Sequence, residues 1–413
     1  MSSFEAVVVG AGTAGLAVSR HLQNAEIEHV VFDRGRVAET WRSQRWDSFR
    51  VNTPNHLNGM PGDRIPGDPE GFATASELVR FLEEFARSHR LPVHEGVTVT
   101  AAEAGDRGFV LATDHPDHHR VESSAVVVAS GGQNRSKIPA VAAALPRHIL
   151  QIHAGQYRDA ASLPAGGVLV VGSAQSGCQI AEDLLDGGRP VYLSVSRVAR
   201  ARRRYRGRDM LDWFDESGFF DQRPTDLPDP AMTRTPQPQI SGVGRRGHTV
   251  SLPDLAARGV ALVGRLVAAD EQGLQFDQSV GECVRFADAG AAQIRALVDE
   301  YITARGIVAP PAEHDPADDD CLDPDALQGP TRVGAEAVGT VIWSTGFDGD
   351  FSWLRLPVLD GGGHPIHQDG VSPVPGVFFV GLPWLRTRRS GIIPGVDADG
   401  AWIAQNVAKH LGR

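Results

Sequence analysis

The sequence predicts an α/β fold in which helices cover parallel sheets. A short run of apolar, β-branched residues at positions 4–9 leads directly into a glycine-rich turn and then into a helical apolar pattern. The same order of strand, glycine turn and helix recurs from residue 168 onward. Two later strands, at residues 125–132 and 341–347, end in a small residue and glycine, as if the chain returned to a sheet. We therefore predict two Rossmann-like dinucleotide-binding domains, with the second inserted into a discontinuous first domain.

Composition and charge limit the class of protein. A chain of 413 residues with 41% apolar and 22% charged residues is typical of a folded globular protein. A net charge of −11 argues against nucleic acid and anionic membranes as partners. Cys178, Cys283 and Cys321 are widely spaced and form no CxxC pair, which argues against a zinc site or a redox dithiol. We expect a cytoplasmic protein that binds neither nucleic acid nor membranes.

The first glycine turn carries the residues of a dinucleotide site. Gly10 would allow a tight turn, Gly12 would let a pyrophosphate approach the backbone, and Gly15 would let the helix pack on the strand, with Ala14 beside it. The following strand ends at Asp33, roughly 20 residues beyond the first glycine. A carboxylate there accepts hydrogen bonds from ribose hydroxyls and repels a 2′-phosphate. The sequence therefore predicts a nucleotide without that phosphate at this turn.

The second turn has Ala174 in place of the middle glycine. The strand that follows it ends in Ser196 and Arg197, where a guanidinium can pair with a 2′-phosphate, so this site favours NADPH. Ser176 could instead cap the helix, and that alternative stays open. The remaining residues of this turn that we expect at the cofactor are Gly172, Ser173, Gln175, Ser176 and Gly177.

The pair of sites predicts a flavoprotein with FAD in the first domain and NADPH in the second. Gly131 and the pair Thr345 and Gly346 end the two returning strands and are further candidates for cofactor contact, although a plain turn that closes a sheet is the alternative. We assign residues 1–150 and 341–413 to the FAD-binding domain and residues 151–340 to the NADPH-binding domain.

The proline-rich region 207–330 is predicted to form a lid over a substrate channel, with a helix over residues 291–304. Trp213, Phe214, Phe219 and Phe220 could line that channel or form a core. The arginine-rich run 197–208 suggests phosphate binding, and residues 318–320 suggest a solvated acidic loop. His115, His118 and His119 fall in a polar turn, so we predict no metal site.

The motifs together resemble a known family. The order GAGTAG, a strand ending in two glycines, HAGQY, GSAQSG and WSTGF resembles the class B flavin-containing monooxygenases, and RWDSFRVNTPN, QSGCQIAEDL, RRYRGRD and GLPWLRTRRSG resemble their CzcO-like bacterial branch. His153 and Tyr157 match the family fingerprint FxGxxxHxxxY, whereas its aromatic residue and glycine are missing. The acid that often follows the glycine at position 381 is also missing, so Gly395 and Asp397 at the carboxy-terminal helix are expected to face the flavin instead.

The resemblance implies an NADPH- and FAD-dependent monooxygenase that inserts one oxygen atom of dioxygen into a small molecule through a C4a-hydroperoxyflavin, most simply at nitrogen or sulfur. Baeyer–Villiger oxygenation of a ketone, a low-turnover redox sensor and an NADPH oxidase stay open. Asn52 is implied as the catalytic residue beside flavin and nicotinamide, with an Asx-type turn before Pro54 as the alternative. Trp41, together with Arg34 and Thr40, is expected at the FAD, and a homodimer is possible.

Overall fold

The computed structural model describes residues 2–240, 247–320 and 327–413. In chain order the strands are β1 (Ser2–Val9), β2 (His29–Asp33), β3 (Gly59–Met60), β4 (Asp63–Arg64), β5 (Val93–Glu95), β6 (Val99–Gly105), β7 (Gly108–Thr113), β8 (Arg120–Val128), β9 (Arg135–Ser136), β10 (Leu150–His153), β11 (Gly167–Val171), β12 (Val191–Ser194), β13 (Arg204–Tyr205), β14 (Arg208–Asp209), β15 (Ala261–Val263), β16 (Leu266–Asp270), β17 (Gly273–Phe276), β18 (Arg332–Gly334), β19 (Val338–Trp343), β20 (Phe347–Asp348) and β21 (Val377–Phe379). The helices are α1 (Thr13–Asn24), α2 (Glu39–Ser43), α3 (Ala75–Ser88), α4 (Gln175–Asp186), α5 (Met210–Glu216), α6 (Leu252–Ala257), α7 (Val280–Arg305), α8 (Pro316–Asp319) and α9 (Val396–His410).

The first sheet is built around β1 and β8, whose carboxyl-terminal halves, residues 6–9 and 125–128, are apolar and buried. Strands β5, β2, β1 and β8 lie side by side in that order, and all of them are parallel. The far edge of β8 pairs antiparallel with β7 along its first half and parallel with β21 along its second half. Strand β6 completes the sheet beside β7. The apolar runs form strands because both faces of a parallel sheet are covered by other elements.

The second sheet contains five parallel strands in the order β10, β19, β11, β12 and β15. Strand β19 pairs with β10 and β11 over its length, through Trp343. The domain boundary expected at residue 340 would therefore cut a strand, and the chain leaves the second sheet only after Trp343. The local sequence pattern predicts that a strand forms here, but it does not show which of the two sheets the strand joins.

The two sheets share a strand order. The sequence β5, β2, β1, β8 in the first sheet corresponds to β15, β12, β11, β19 in the second. In each, the order reverses between the first strand of the unit and the strand that returns to it. Ligands of open α/β sheets bind at the carboxyl edge where the strand order reverses. The topology therefore directs attention to the turns after β1 and β11 and to the ends of β8 and β19.

Within the described residues, the region 207–330 is not a lid along its whole length, because much of it belongs to the second domain. It supplies β15 to the sheet, β16 and β17 to a small antiparallel sheet that β18 completes, and the long helix α7, which extends well beyond the expected residues 291–304. Trp213, Phe214 and Phe220 are buried in one cluster with Val298 of α7. These three rings form a core, and the channel-lining alternative is wrong for them.

The arginine-rich run is neutralised by carboxylates. Arg200 and Arg202 are buried against Asp318, whose side chain is 2% exposed. Arg203 donates from Nε to Oδ2 of Asp209 at 2.7 Å, again in the interior. These guanidinium groups therefore form ion pairs within the fold instead of binding phosphate, and Asp318 does not lie in a solvated loop.

Among the residues described, no helix is long and apolar enough to cross a bilayer.

Candidate cofactor and active site

The first glycine turn has the geometry of a phosphate cradle. Gly10 has φ +115°, and a Cβ on it would lie 2.5 Å from the carbonyl oxygen of Ala129. A Cβ on Gly15 would lie 1.8 Å from the carbonyl oxygen of Gly10, so the helix can pack here only on glycine. A Cβ on Gly12, by contrast, would meet no described atom within 4 Å. Gly12 thus faces open space at the start of α1, where backbone N–H groups favour a pyrophosphate.

Asp33 lies at the carboxyl end of β2 and closes this turn. Its Oδ2 accepts a hydrogen bond from the N–H of Ala11 at 2.6 Å, and its Oδ1 accepts one from the N–H of Gly35 at 2.7 Å. Burial raises the pKa of Asp33, although both hydrogen bonds favour the charged form. The carboxylate is therefore held rigidly beside the open space at Gly12. Arg34 and Thr40 are both exposed. Arg34 acts on the carboxylate of Asp33 through its charge, which favours the ionised form, and the hydrogen bonds to that carboxylate come from Ala11 and Gly35.

The second turn repeats the first almost atom for atom. A Cβ on Gly172, at φ +106°, would lie 2.6 Å from the carbonyl oxygen of Ser344, and one on Gly177 would lie 1.8 Å from that of Gly172. Ala174 has φ −76° and ψ −171°, against φ −80° and ψ −174° at Gly12. An alanine therefore holds the backbone that glycine holds in the first turn. Ala174 is also the N-cap of α4, without a side-chain cap, so the alternative role of Ser176 as the cap is wrong.

The end of β12 lacks an acid at the position that matters. Gly172 N–H donates to the carbonyl of Ser194 at 3.0 Å, just as Gly10 N–H donates to Phe32 at 2.7 Å. Val195, a buried apolar residue, therefore occupies the place that Asp33 has in the first unit. The next residue, Ser196, donates from its N–H to Oγ of Ser173 at 2.9 Å.

Arg197 and Gln175 flank this second turn. The guanidinium of Arg197 is exposed, lies 3.4 Å from Glu282 of α7, and stacks 4.7 Å from the ring centre of Phe286. Such an exposed pair is weak and does not prevent the cation from turning to a phosphate. Gln175 accepts a hydrogen bond on Oε1 from the N–H of Ile240 at 2.8 Å. The predicted cation is thus beside the turn, held by contacts that a ligand could replace.

The two returning strands, β8 and β19, are each followed by a glycine at the carboxyl edge of their sheet. Gly131 follows β8 and Gly346 follows β19, and a Cβ on either would meet no described atom within 4 Å. Thr345 donates from Oγ1 to the carbonyl of Lys137. Lys137 N–H in turn donates to the carbonyl of Gly346 at 3.0 Å, and β9 pairs with β20 beside them. The loops after β8 and β19 are therefore joined to each other.

His153 and Tyr157, which match half of the family fingerprint, have identifiable structural roles. His153 donates from Nε2 to the carbonyl of Gly346 at 2.9 Å and accepts on Nδ1 from the N–H of Gly155. Tyr157 is fully buried and donates to Oδ2 of Asp183 on α4 at 2.5 Å. Burial and the neighbouring carboxylate raise the pKa of Tyr157, so it stays protonated. Both residues fix the second cradle from outside.

Asn52, from the amino-terminal part of the chain, contacts the helix of the second unit. Its Oδ1 accepts a hydrogen bond from Nε2 of Gln179 on α4 at 2.9 Å, and its carbonyl accepts one from Nη1 of Arg203 at 2.8 Å. The side chain is therefore directed at the helix of the second cradle instead of forming an Asx turn. Sequence reasoning passed over Gln179, although its position in the first turns of α4, two residues after Gly177, was a usable signal.

The buried pair beneath Asn52 is formed by Arg203 and Asp209. Burial lowers the pKa of Arg203 and raises that of Asp209, while their mutual attraction opposes both shifts. Asp209 also caps α5 by accepting from the N–H of Leu211 at 2.9 Å. The pair thus anchors the backbone of Asn52 to the inserted region.

Trp41 of α2 is partly buried beneath a second arginine. The guanidinium of Arg45 lies 4.6 Å from the ring centre of Trp41 and 5.3 Å from that of Phe49. Burial lowers the pKa of Arg45 to about 10. Nη2 of Arg45 donates to Oε1 of Gln133, in the loop that follows Gly131, at 3.3 Å. Trp41 therefore supports a cation near the carboxyl edge of the first sheet.

Asp397 was expected to face the flavin from the start of α9, but the buried acid of this helix is Asp399. Asp397 is exposed and pairs with His21 of α1 at 2.7 Å, whereas Asp399 is buried and lies 3.4 Å from Arg386. Burial raises the pKa of Asp399. Gly395 is required here because a Cβ would lie 2.2 Å from the carbonyl oxygen of Arg389. The burial of Asp399 could have been predicted from the helical period, because Asp399 follows Val396 by three positions and shares its buried face.

Comparison with known proteins adds family information to this geometry. A family profile described as pyridine nucleotide-disulphide oxidoreductase matches residues 7–210. An uncharacterized CzcO-like oxidoreductase of Geobacillus kaustophilus is 29% identical over 413 residues, covering 98% of this chain and 99% of the relative. The uncharacterized oxidoreductase CzcO of Bacillus subtilis is 25% identical over 407 residues, covering 98% and 99%. A flavin-containing monooxygenase from Stenotrophomonas maltophilia superposes with a TM-score of 0.66 at 18% identity, with all of both chains covered.

Proposed function

Because this chain belongs to the CzcO-like flavin monooxygenase family, we propose that it is an NADPH- and FAD-dependent monooxygenase that oxygenates nitrogen or sulfur in a small molecule. The observation that carries the proposal is the pair of matching glycine cradles, one closed by an acid and one without it, with Asn52 hydrogen-bonded to the helix of the second cradle. Two cradles of this kind suit two nucleotides of different type. The function is argued from that site and not from the fold, which hosts many chemistries.

The residues of the first cradle fit FAD. Gly12 leaves room for a pyrophosphate at the start of α1, and Asp33 offers carboxylate oxygens to a ribose. Asp33 also disfavours a 2′-phosphate, as expected of a site for FAD. The space beside Gly12 supports this fit, because no described atom of the protein would lie within 4 Å of a Cβ at that position.

The residues of the second cradle fit NADPH. Ala174 keeps the backbone of a pyrophosphate turn, and Val195 replaces the acid that would repel a 2′-phosphate. Arg197, two residues further on, supplies a guanidinium that can pair with that phosphate. The two cradles therefore have different preferences, as electron transfer from NADPH to a flavin requires.

FAD reduced by NADPH supplies the chemistry that activates dioxygen and transfers one of its atoms. The protein contributes position and hydrogen bonding. Since Oδ1 of Asn52 is engaged by Gln179, the Nδ2 hydrogens are the donors that Asn52 can offer to a ligand. Arg203 and Asp209 hold the backbone of Asn52 from the interior. A donor fixed in this way can stabilise developing negative charge without reorganising.

The experiment that tests the proposal follows both cofactors and the oxygen atom. We expect purified protein to show an oxidised flavin spectrum that NADPH bleaches under nitrogen. In air with labelled dioxygen, a panel of amines and thioethers should give singly labelled oxides, whereas ketones should give no ester. Protein that is colourless, does not take up FAD and is not reduced by either pyridine nucleotide would contradict the proposal.

Asn52→Ala provides the residue-level test. We expect this variant to retain FAD and to be reduced by NADPH, while the yield of oxidised product per NADPH falls about tenfold or more, since one oriented donor is lost. The matched control is Asn406→Ala, whose amide donates to the carbonyl of Trp402 within α9 and belongs to neither cradle. Equal product yields in wild type and Asn52→Ala would remove Asn52 from the mechanism.

A further inference from the structure

The segment between β21 and α9, residues 381–391, contains features that the cofactor cradles do not explain. We call it the arginine loop. Val380 N–H donates to the carbonyl of Val128 at 3.1 Å, so the loop begins at the carboxyl edge of the first sheet. A Cβ on Gly381 would lie 2.7 Å from the Cβ of Ala14 in α1. The loop therefore begins directly beside the first cradle.

Trp384 in this loop carries two unfavourable features at once. Its backbone is left-handed, with φ +56°, a conformation that non-glycine residues rarely adopt. Its side chain is 6% exposed, and Nε1 has no hydrogen-bond partner among the residues described. Backbone strain and unsatisfied buried donors are both concentrated at ligand sites. The indole N–H is therefore a donor without an acceptor in a strained, buried position.

Arg388 differs from the arginines on either side of it. Arg386 pairs with Asp399, and Arg389 pairs with Asp215 at 2.8 Å and with Asp221 at 2.9 Å. Within the described part of the chain, no carboxylate lies within 4.0 Å of the Arg388 guanidinium. Burial lowers the pKa of Arg388 to about 10. A half-buried cation without a counter-ion is unfavourable unless a ligand supplies the anion.

The surroundings of Arg388 orient it without neutralising it. Nε donates to Oε1 of Gln222 at 3.1 Å, and Nη1 donates to Oε1 of Gln237 at 2.9 Å. The guanidinium carbon lies 4.2 Å from the ring centre of Phe219 and 4.6 Å from that of Trp384. The aromatic rings stabilise the cation and fix its plane. Nη2 has no partner among the described residues, so part of the planar fork that suits a carboxylate is available.

We propose that Arg388 and Trp384 bind a carboxylate of the substrate, so that the enzyme acts on small carboxylic acids that carry an oxidisable sulfur or nitrogen. This inference rests on the proposed function for the oxygen transfer. Phe219, Gln222 and Gln237 belong to the inserted region and to neither glycine turn, which separates this site from the pyrophosphate cradles. The substrate is therefore held between the arginine loop, beside the FAD cradle, and the inserted region.

The test measures binding to the FAD-loaded protein by titration calorimetry, independently of turnover. The probes are (phenylthio)acetate and its uncharged methyl ester, with 3-(methylthio)propanoate and its methyl ester as a second pair. We expect wild type to bind each acid at least tenfold more tightly than its ester. Arg388→Gln should reduce this ratio to near one, Arg388→Lys should leave a partial preference, and Trp384→Phe should weaken acid binding severalfold. Arg355→Gln removes an exposed arginine that pairs with Glu103 and should keep the wild-type ratio.

The outcomes separate the two proposals. Equal binding of acid and ester by wild type, or no binding of either acid, overturns the inference without any variant, even if Arg388→Gln fails to fold. A loss of NADPH or FAD affinity in Arg388→Gln as large as the loss of acid affinity would assign Arg388 to a cofactor phosphate and also overturn it. Acid binding that depends on Arg388, with no labelled oxide formed, would support this site while contradicting the monooxygenase proposal. Labelled oxide formed equally well from acid and ester would do the reverse.

Discussion

The two glycine cradles differ far less in backbone than in the residues that close them. Gly12 and Ala174 agree within a few degrees in both dihedral angles, and Gly15 and Gly177 have the same 1.8 Å restriction. The difference lies at the end of the second strand, where one unit has a hydrogen-bonded Asp33 and the other a buried Val195. The helix packing is thus common to both cradles, and under the proposed function the strand end is what distinguishes FAD from NADPH.

The largest expected effect comes from the position that the two cradles share most closely. Gly15→Ala and Gly177→Ala both push a methyl group into a backbone carbonyl that cannot move without separating helix from strand. We expect each variant to lose more than about 3 kcal/mol of unfolding free energy. Thermal unfolding of the two proteins measures this, and a change below 1 kcal/mol in either, on the order of a surface substitution, would contradict the packing argument.

The middle position should separate stability from binding. Gly12→Ala meets no described atom and has a φ that alanine accepts, so unfolding without cofactor should change by less than about 1 kcal/mol. FAD affinity, however, should fall by about 1 kcal/mol, because the methyl group keeps the pyrophosphate further from the backbone than glycine does. Ala174→Gly is the matched variant and should leave NADPH affinity within a few-fold. Equilibrium dialysis with each cofactor decides the comparison, which fails if Gly12→Ala binds FAD normally.

Asp33→Asn tests the strand end. It removes the charge and turns an amide N–H₂ toward one of two backbone N–H groups, so FAD affinity should fall by about 2 kcal/mol while NADPH affinity is retained. Because burial raises the folded-state pKa of Asp33, the native state takes up this proton more readily than the unfolded chain. The contribution of Asp33 to unfolding free energy therefore decreases as pH rises from the unfolded value through the folded one. Denaturant unfolding of both proteins across this pH range should show that the unfolding free energy of the wild type falls relative to that of Asp33→Asn as pH rises.

Small effects are expected at the exposed cation of the second cradle. Arg197→Ala should raise the KM for NADPH about tenfold and leave that for NADH nearly unchanged, because only NADPH carries the 2′-phosphate. The effect is limited because solvent weakens the contact of an exposed guanidinium. Glu282→Gln, which removes the competing carboxylate, should instead lower the KM for NADPH slightly. Steady-state kinetics with both nucleotides measures these changes, and equal effects of Arg197→Ala on the two cofactors would reject the assignment of Arg197.

What the sequence could predict was whatever short-range chemistry determines. The strands and helices around Gly10 and Gly172 follow from a tight turn and a close helix contact, which neighbouring residues alone impose. The arginine-rich run was misjudged because its partner carboxylate is distant, with Asp318 lying 116 positions from Arg202. The position of β19 likewise depends on pairing with β10 and β11, which no local pattern encodes.

The candidate site followed the same rule. Asn52 was identified from its motif, but its contact with Gln179 depends on how the two domains meet. Trp384 and Arg388 form part of a motif string, yet the missing counter-ion becomes visible only once Phe219, Gln222 and Gln237 are placed around the guanidinium. A lacking partner is a property of three-dimensional packing and leaves no trace in the order of residues.

The pairing of β9 with β20 has a practical consequence for protein engineering. The chain enters the second domain shortly after Arg135–Ser136 and leaves it at Phe347–Asp348, and these two segments are hydrogen-bonded neighbours. Both seams of the inserted domain therefore lie side by side, which is the arrangement that tolerates transplantation of a whole module. A chimera that exchanges the second domain between relatives should be cut on either side of this ladder, after Trp343 rather than within β19.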